Sequence, residues 1–171
     1  MAFGSATISQ QIKASLPSIN LPTTYSVPCD MPKMDRVYSS GTGAGQVDGI
    51  HSKTYSLAAT PTTLDLTAMT DPNGAAITCS TGRIRSLWLQ NLSNYAITIG
   101  AAASTQWLGM LGTTTSTLVV PPNGILTFSD PTTVGTSAGA YVDSTHKSLK
   151  IDPGANTVQF NLVILFCSAQ S

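Results

Sequence analysis

The sequence predicts an all-β protein: a jelly-roll-like antiparallel β-sandwich carrying an extended, proline-rich N-terminal arm that contains a short helix. Three observations predict it. The chain has no glutamate, and all eight of its acids are aspartate. Glutamate forms helices well, whereas aspartate competes for backbone groups and favours turns. Apolar and polar residues alternate at period two through much of the chain, as half-buried strands require. Turn sequences punctuate these runs at intervals of roughly 8–12 residues, the spacing of a sandwich or jelly roll.

The length of 171 residues suits one domain, or a smaller domain with an appendage. Charged residues make up 9% of the chain, far below the roughly 25% of ordinary soluble domains. Eight basic residues balance eight acids, and no basic block exists to neutralise phosphates, so nucleic acid is not an expected partner. A hydrophobic content of 42% excludes wholesale disorder. So weakly charged a surface keeps molecules apart poorly, and suits a protein that neighbours cover. Cys29, Cys79 and Cys167 are odd in number and widely spaced, which predicts inert thiols rather than a disulfide framework or a zinc site. The N-terminus does not read as a signal peptide, and no apolar run is long enough to cross a membrane. Synthesis in a cytoplasm is expected.

Residues 1–50 read as the arm. Ile8, Ile12 and Leu16 recur every four residues, which predicts a short helix over 5–16 ended by Pro17. Twelve residues are marginal for an isolated helix, so this stripe needs a partner surface. Pro17, Pro22, Pro28 and Pro32 then favour extended chain. Ile19, Leu21, Tyr25 and Val27 lie among them as apolar anchors. Together, Ile8, Ile12, Leu16, Ile19, Leu21, Tyr25 and Val27 are the expected partner-binding residues. A Gly-rich hinge or loop closes the arm over 41–49. Its Gly41-Thr42-Gly43-Ala44-Gly45 run departs from the dinucleotide-binding fingerprint and precedes no helix signal.

Residues 51–171 read as the sandwich, with β patterning from about Lys53. Tyr95, Ile97 and Ile99 alternate with Ala96 and Thr98, and Leu118 and Val120 alternate with Thr117 and Val119. Leu126 and Phe128 bracket Thr127, and Leu149 and Ile151 bracket Lys150. Leu87-Trp88-Leu89 is continuous, which predicts burial on both faces or a partner contact. In the last strand Val158, Phe160, Leu162, Ile164 and Phe166 share one unbroken face. Its other face turns apolar at Val163 and Leu165, so one end should be covered twice. Asp71-Pro72-Asn73-Gly74, Pro121-Pro122-Asn123-Gly124 and Asp152-Pro153-Gly154 are turn sequences, the second reading as a hairpin.

Little here points to catalysis. His51 and His146 are the only histidines, and no Gly-x-Ser-x-Gly elbow marks a nucleophile. Asp143-Ser144-Thr145-His146-Lys147 reads as a polar turn. Asp71, Asp130 and Asp152 each precede a proline, a turn context rather than a paired-carboxylate site. Asp65 reads as a strand residue bonding a loop backbone. Asn91-Leu92-Ser93 fits the glycosylation pattern by chance. No catalytic, cofactor-binding or metal-binding residue is expected. Trp88 and Trp107 are candidate interface residues, Trp107 lying in an apolar run that suits a core edge or a subunit interface, with a sugar platform as the weaker reading.

The stretch 60–166 resembles a group of small structural proteins of tailed bacteriophages. The resemblance lies in Leu64-Asp65-Leu66-Thr67 with Thr70-Asp71-Pro72-Asn73-Gly74, and in Ile84-Arg85-Ser86-Leu87-Trp88-Leu89-Gln90-Asn91-Leu92-Ser93. It continues in Leu118-Val119-Val120-Pro121-Pro122-Asn123-Gly124 and Ser148-Leu149-Lys150-Ile151. It implies a non-enzymatic virion component of β-sandwich fold, with the major capsid protein or other virion proteins as partners. The leading expectation is a capsid decoration or cement protein, homo-oligomeric and taken as a trimer, attached by its arm. A neck, head–tail joining or tail protein is the alternative. A secreted carbohydrate-binding module using Trp88 or Trp107 is more distant, and a hydrolase comes last.

Overall fold

A computed structural model describes residues 5–10, 13–17, 26–30, 34–43, 45–79, 81–130 and 140–168, with side chains from Val37 onward. The described residues are mostly β, with one 3-10 turn at Ala103–Thr105, and antiparallel apart from one short parallel strand pair and one isolated parallel bridge between Gln106 and Ser148. The first five strands are β1 (Ser5–Gln10), β2 (Lys13–Pro17), β3 (Ser26–Asp30), β4 (Met34–Ser40) and β5 (Gln46–Val47). Then come β6 (Gly49–Ala58), β7 (Thr62–Asp65), β8 (Gly82–Asn91), β9 (Ile97–Gly100) and β10 (Thr117–Val120). The last are β11 (Ile125–Ser129), β12 (Tyr141–Val142), β13 (Ser148–Asp152) and β14 (Thr157–Cys167).

Two sheets dominate. One has the order β10-β9-β13-β7; the other has β11-β8-β14-β6, with β12 also on β8. The pairings nest: β9 with β10, β8 with β11, β7 with β13, and β6 with β14. Two further pairings, β8 with β14 and β9 with β13, join these layers into sheets. Most connections therefore carry the chain from one sheet to the other. This corrects the hairpin expected at Pro121–Gly124. Gly124 N donates to Pro121 O at 2.9 Å, so the turn forms, but β10 and β11 belong to different sheets. Turn chemistry fixes a reversal without fixing which strand the chain pairs with next.

Both sheets feed one hydrophobic cluster. Leu87 and Leu89 of β8, Ile97 and Ile99 of β9, Leu149 and Ile151 of β13, and Val158, Phe160, Leu162, Ile164 and Phe166 of β14 all lie in it. The long connection 101–116 is held by Gln106, whose Oε1 accepts from Ala102 N at 2.7 Å and whose Nε2 donates to Thr113 O at 2.6 Å. Buried Asn91 does the same at the far end of β8, where Nδ2 donates to Tyr95 O at 2.7 Å and Pro121 O at 3.0 Å. That amide is buried and committed to the fold rather than presented at the surface.

The N-terminal segment overturns the helix expected over 5–16. β1 pairs antiparallel with β4, and β2 pairs antiparallel with β3, giving two nested ribbon segments. The reason is visible in the sequence. A spacing of four is a multiple of two, so Ile8, Ile12 and Leu16 fit strand alternation as well as a helix. Ala6 and Ala14 extend that alternation against Ser5, Thr7, Ser9, Lys13 and Ser15, with Gln10 as its polar interruption. In these registers Ser5 opposes Ser39 and Lys13 opposes Asp30.

The boundary expected at 50/51 falls inside β6. Gly49 pairs with Phe166, Ile50 with Leu165 and His51 with Ile164.

Candidate functional site

Polar and apolar side chains meet where the ribbon joins the domain. Tyr38, in the last turn of residues of β4, is fully buried. Its hydroxyl donates to Arg85 O at 3.1 Å and lies 2.9 Å from Ser129 Oγ. With Val47, Leu165 and half-buried Ile50 it forms a second, smaller core on the outer face of the β14 sheet. This is the second cover expected over Leu165. The glycine-rich loop closes tightly here. Gly41 N donates to Val47 O at 3.0 Å, Gly43 N donates to Gln46 Oε1 at 2.7 Å, and Gly45 takes φ +67. Such a φ favours glycine because it has no Cβ to clash.

Around this seam lie two arginines that sequence reading missed. Arg83 and Arg85, both on β8, are fully buried. Arg83 stacks its guanidinium over the Tyr141 ring, 4.4 Å from the centroid, and lies 3.8 Å from an Asp130 carboxylate oxygen. Arg85 Nη2 reaches Gly43 O at 3.5 Å. Buried ion pairs contribute little net stability, since desolvation offsets attraction, but breaking one is costly. Asp48 adds a clamp, accepting from Ser168 N at 2.9 Å and from the Ser168 hydroxyl. Cys167 Sγ donates to Thr42 O at 3.2 Å, and burial above all pushes the Cys79 thiol up to about 12, so it stays protonated.

The arm residues are placed only in part. Ile8 stands opposite Arg36, and Leu16 stands opposite Val27. Ile12, Ile19, Leu21 and Tyr25 lie outside the described residues. The two tryptophans separate. Trp107 is fully buried in the core, edge-on to Phe128 at 5.3 Å, the core placement that stood beside the interface one. The glycine two places on explains the packing: a Cβ on Gly109 would come within 1.9 Å of the indole ring. Trp88, by contrast, is only half-buried and lines a shallow depression with Ser52, Lys53, Thr54, Asn161 and Val163.

The histidines do not assemble a relay. Asp143 Oδ1 accepts from Thr145 N, Thr145 Oγ1 and His146 N at 2.7, 2.8 and 2.7 Å, which makes the expected polar turn. Burial alone would raise the Asp143 pKa, but hydrogen bonds from Thr145 and His146 hold it at about 2. Thr145 Oγ1 and Asp143 both meet Nδ1 of His146, whereas a catalytic triad needs its nucleophile and its acid on different ring nitrogens. His51 is buried between Thr70 O, 2.6 Å from Nδ1, and Tyr55 OH, 2.9 Å from Nε2. Asp65 accepts from Thr67 N at 2.9 Å and pairs with Lys147 at 2.9 Å, as a loop-bracing residue. Among the described residues no three His, Cys or Asp side chains gather as a metal site would require.

The chain matches no protein-family model, no curated protein and no solved structure.

Proposed function

We propose that the chain is a jelly-roll β-sandwich serving as a non-enzymatic structural component of a tailed-bacteriophage particle. Its place in that particle is the capsid surface, as a decoration or cement protein held by its N-terminal ribbon. The nested pairing of β6 to β14 supports the jelly-roll reading. A long hairpin with β9 and β10 at its tip, rolled until β8 meets β14 and β9 meets β13, gives the observed strand orders.

One observation carries the structural role. A two-stranded ribbon stands at the start of a domain that already has its own core, and a buried seam of Tyr38, Val47 and Leu165 fixes the ribbon's base. Two strands alone are marginal in water, so such a ribbon gains stability by lying on another surface. Its backbone edges and alternating apolar residues suit strand addition to a neighbouring chain. Virion proteins, the major capsid protein first, are the partners this reading names.

The test uses particles lacking this protein. Full-length chain should rebind and withstand washing, and a chain lacking residues 1–36 should not. Equal occupancy by both would overturn the ribbon's role. Copy number separates the capsid from the neck or tail. Symmetric shells call for on the order of hundreds of copies, and a neck or tail ring for about a dozen or fewer.

A further inference from the structure

We propose that the outer face of the β6–β14–β8 sheet carries a carbohydrate-binding groove centred on Trp88, accepting a neutral saccharide. This does not rest on the virion reading. The groove is a shallow depression of about 350 Å³, lined by Ser52, Lys53, Thr54, Trp88, Asn161 and Val163. That volume is at the small end of ligand sites, which run roughly 300–1,000 Å³.

Three features favour a saccharide. First, the groove is built on strands, not loops. Trp88 sits opposite Val163 across the β8–β14 pairing, and Asn161 sits opposite Thr54 across β14–β6. Strand-borne side chains are positioned more rigidly than loop-borne ones. Second, the polar groups are already ordered. Thr54 Oγ1 donates to Asn161 Oδ1 at 2.7 Å, and Asn161 Nδ2 donates to Gln90 Oε1 at 3.3 Å. This row spans three strands and leaves hydroxyl and amide groups with spare bonding capacity facing outward, since an amide oxygen accepts two bonds and its NH₂ donates two. Third, the lining holds no carboxylate, and Lys53 is its only charged residue. Lys53 is itself drawn over the Tyr55 ring, 5.2 Å from the centroid. An indole beside uncharged hydrogen-bonding groups suits a ring with an apolar C–H face and hydroxyl edges. A protein partner would call for a more apolar centre.

The two tryptophans make the test direct. Trp107 is fully buried, so a ligand-induced change in indole fluorescence reports on Trp88. Full-length protein is titrated with maltohexaose, cellohexaose, chitohexaose and a soluble mannan. At least one should give a saturable change. Trp88→Ala should abolish binding measured by calorimetry, and Trp88→Phe should retain part of it. Asn161→Ala should weaken it about tenfold, the loss of one well-placed polar contact. Thermal melts of each variant confirm folding, and Trp88→Phe and Asn161→Ala keep the test open if Trp88→Ala does not fold. No saturable binding to any of the four glycans overturns the proposal. So does binding unchanged in the folded variants. A shift of sedimentation coefficient in Trp88→Phe without glycan would reassign the face to self-association and also overturn it.

Discussion

Single residues divide into those whose role follows from a repeating pattern and those whose role depends on a neighbour distant in sequence. Phe160 belongs to the first kind. It lies on the unbroken apolar face of β14, fully buried and stacked on Tyr55 at 5.2 Å. Phe160→Ala should cost about 3–5 kcal/mol, the range for a buried Phe, measured by denaturant unfolding. A cost under about 1 kcal/mol would place it in an exposed setting. Arg83 and Arg85 belong to the second kind. Nothing in their local sequence announces burial, because Tyr141 and Gly43 come from other parts of the chain. His51 is also of this kind, and it yields a pH prediction. Burial lowers its pKa below the ordinary 6.5, opposed by the bond to Thr70 and helped by Lys53. The unfolded chain takes up a proton near 6.5 while the folded chain resists it to lower pH. Stability contributed by neutral His51 is thus present above 6.5 and is lost as pH falls through that window. The melting temperature should fall between about pH 7 and 5, and His51→Gln should flatten that part of the curve. An unchanged slope in the variant would assign the effect to other groups.

At the scale of elements, period and turn chemistry were legible while partnership was not. The alternation in β9, β13 and β14 gave their inward faces directly. The continuous run Leu87-Trp88-Leu89 suggested burial on both faces or a partner contact, but only Leu87 and Leu89 enter the core, and Trp88 on the other face is half-buried. The N-terminal helix failed because a four-residue repeat satisfies both periods. Only long-range pairing decides between them, and β1 finds its partner at Met34–Ser40. The expected boundary at 50/51 falls inside β6. Gly49 and Ile50 look like loop sequence, but β14 supplies a template for them at Phe166 and Leu165. Truncation should expose the difference. A chain starting at Val37 keeps Tyr38, Val47 and all of β6, and should melt cooperatively. A chain starting at Ser52 loses the second core and the first three pairs of β6. It should melt markedly lower, by several degrees at least, since about 1 kcal/mol shifts a domain of this size by 2–4 °C or more. Equal melting temperatures would show that the ribbon base adds nothing to the domain.

For the whole molecule, charge is the property that bears on attachment. The net charge is zero, and only 9% of residues are charged. The arm itself holds few charges up to Ser40: Lys13, Lys33 and Arg36 against Asp30 and Asp35. Two of these, Lys13 and Asp30, stand opposite each other in the β2–β3 register. Arg83 and Asp130, both buried, lie near each other within the domain. Little charge therefore remains to steer or hold a partner across solvent. Attachment through the ribbon, as proposed, would rest on backbone pairing and apolar contact. Such an interaction does not depend on fields that mobile ions screen beyond about 8–10 Å. Raising salt from about 0.05 to 0.5 M should therefore change the dissociation constant for particles by less than about threefold. A charge-steered interface loses association rate steeply over the same range. Surface plasmon resonance on immobilised particles lacking the protein would measure both rates. A decrease of tenfold or more, carried by the association rate, would mean that charged groups on the partner or the domain surface guide docking, and that the ribbon's apolar residues are not its main contact.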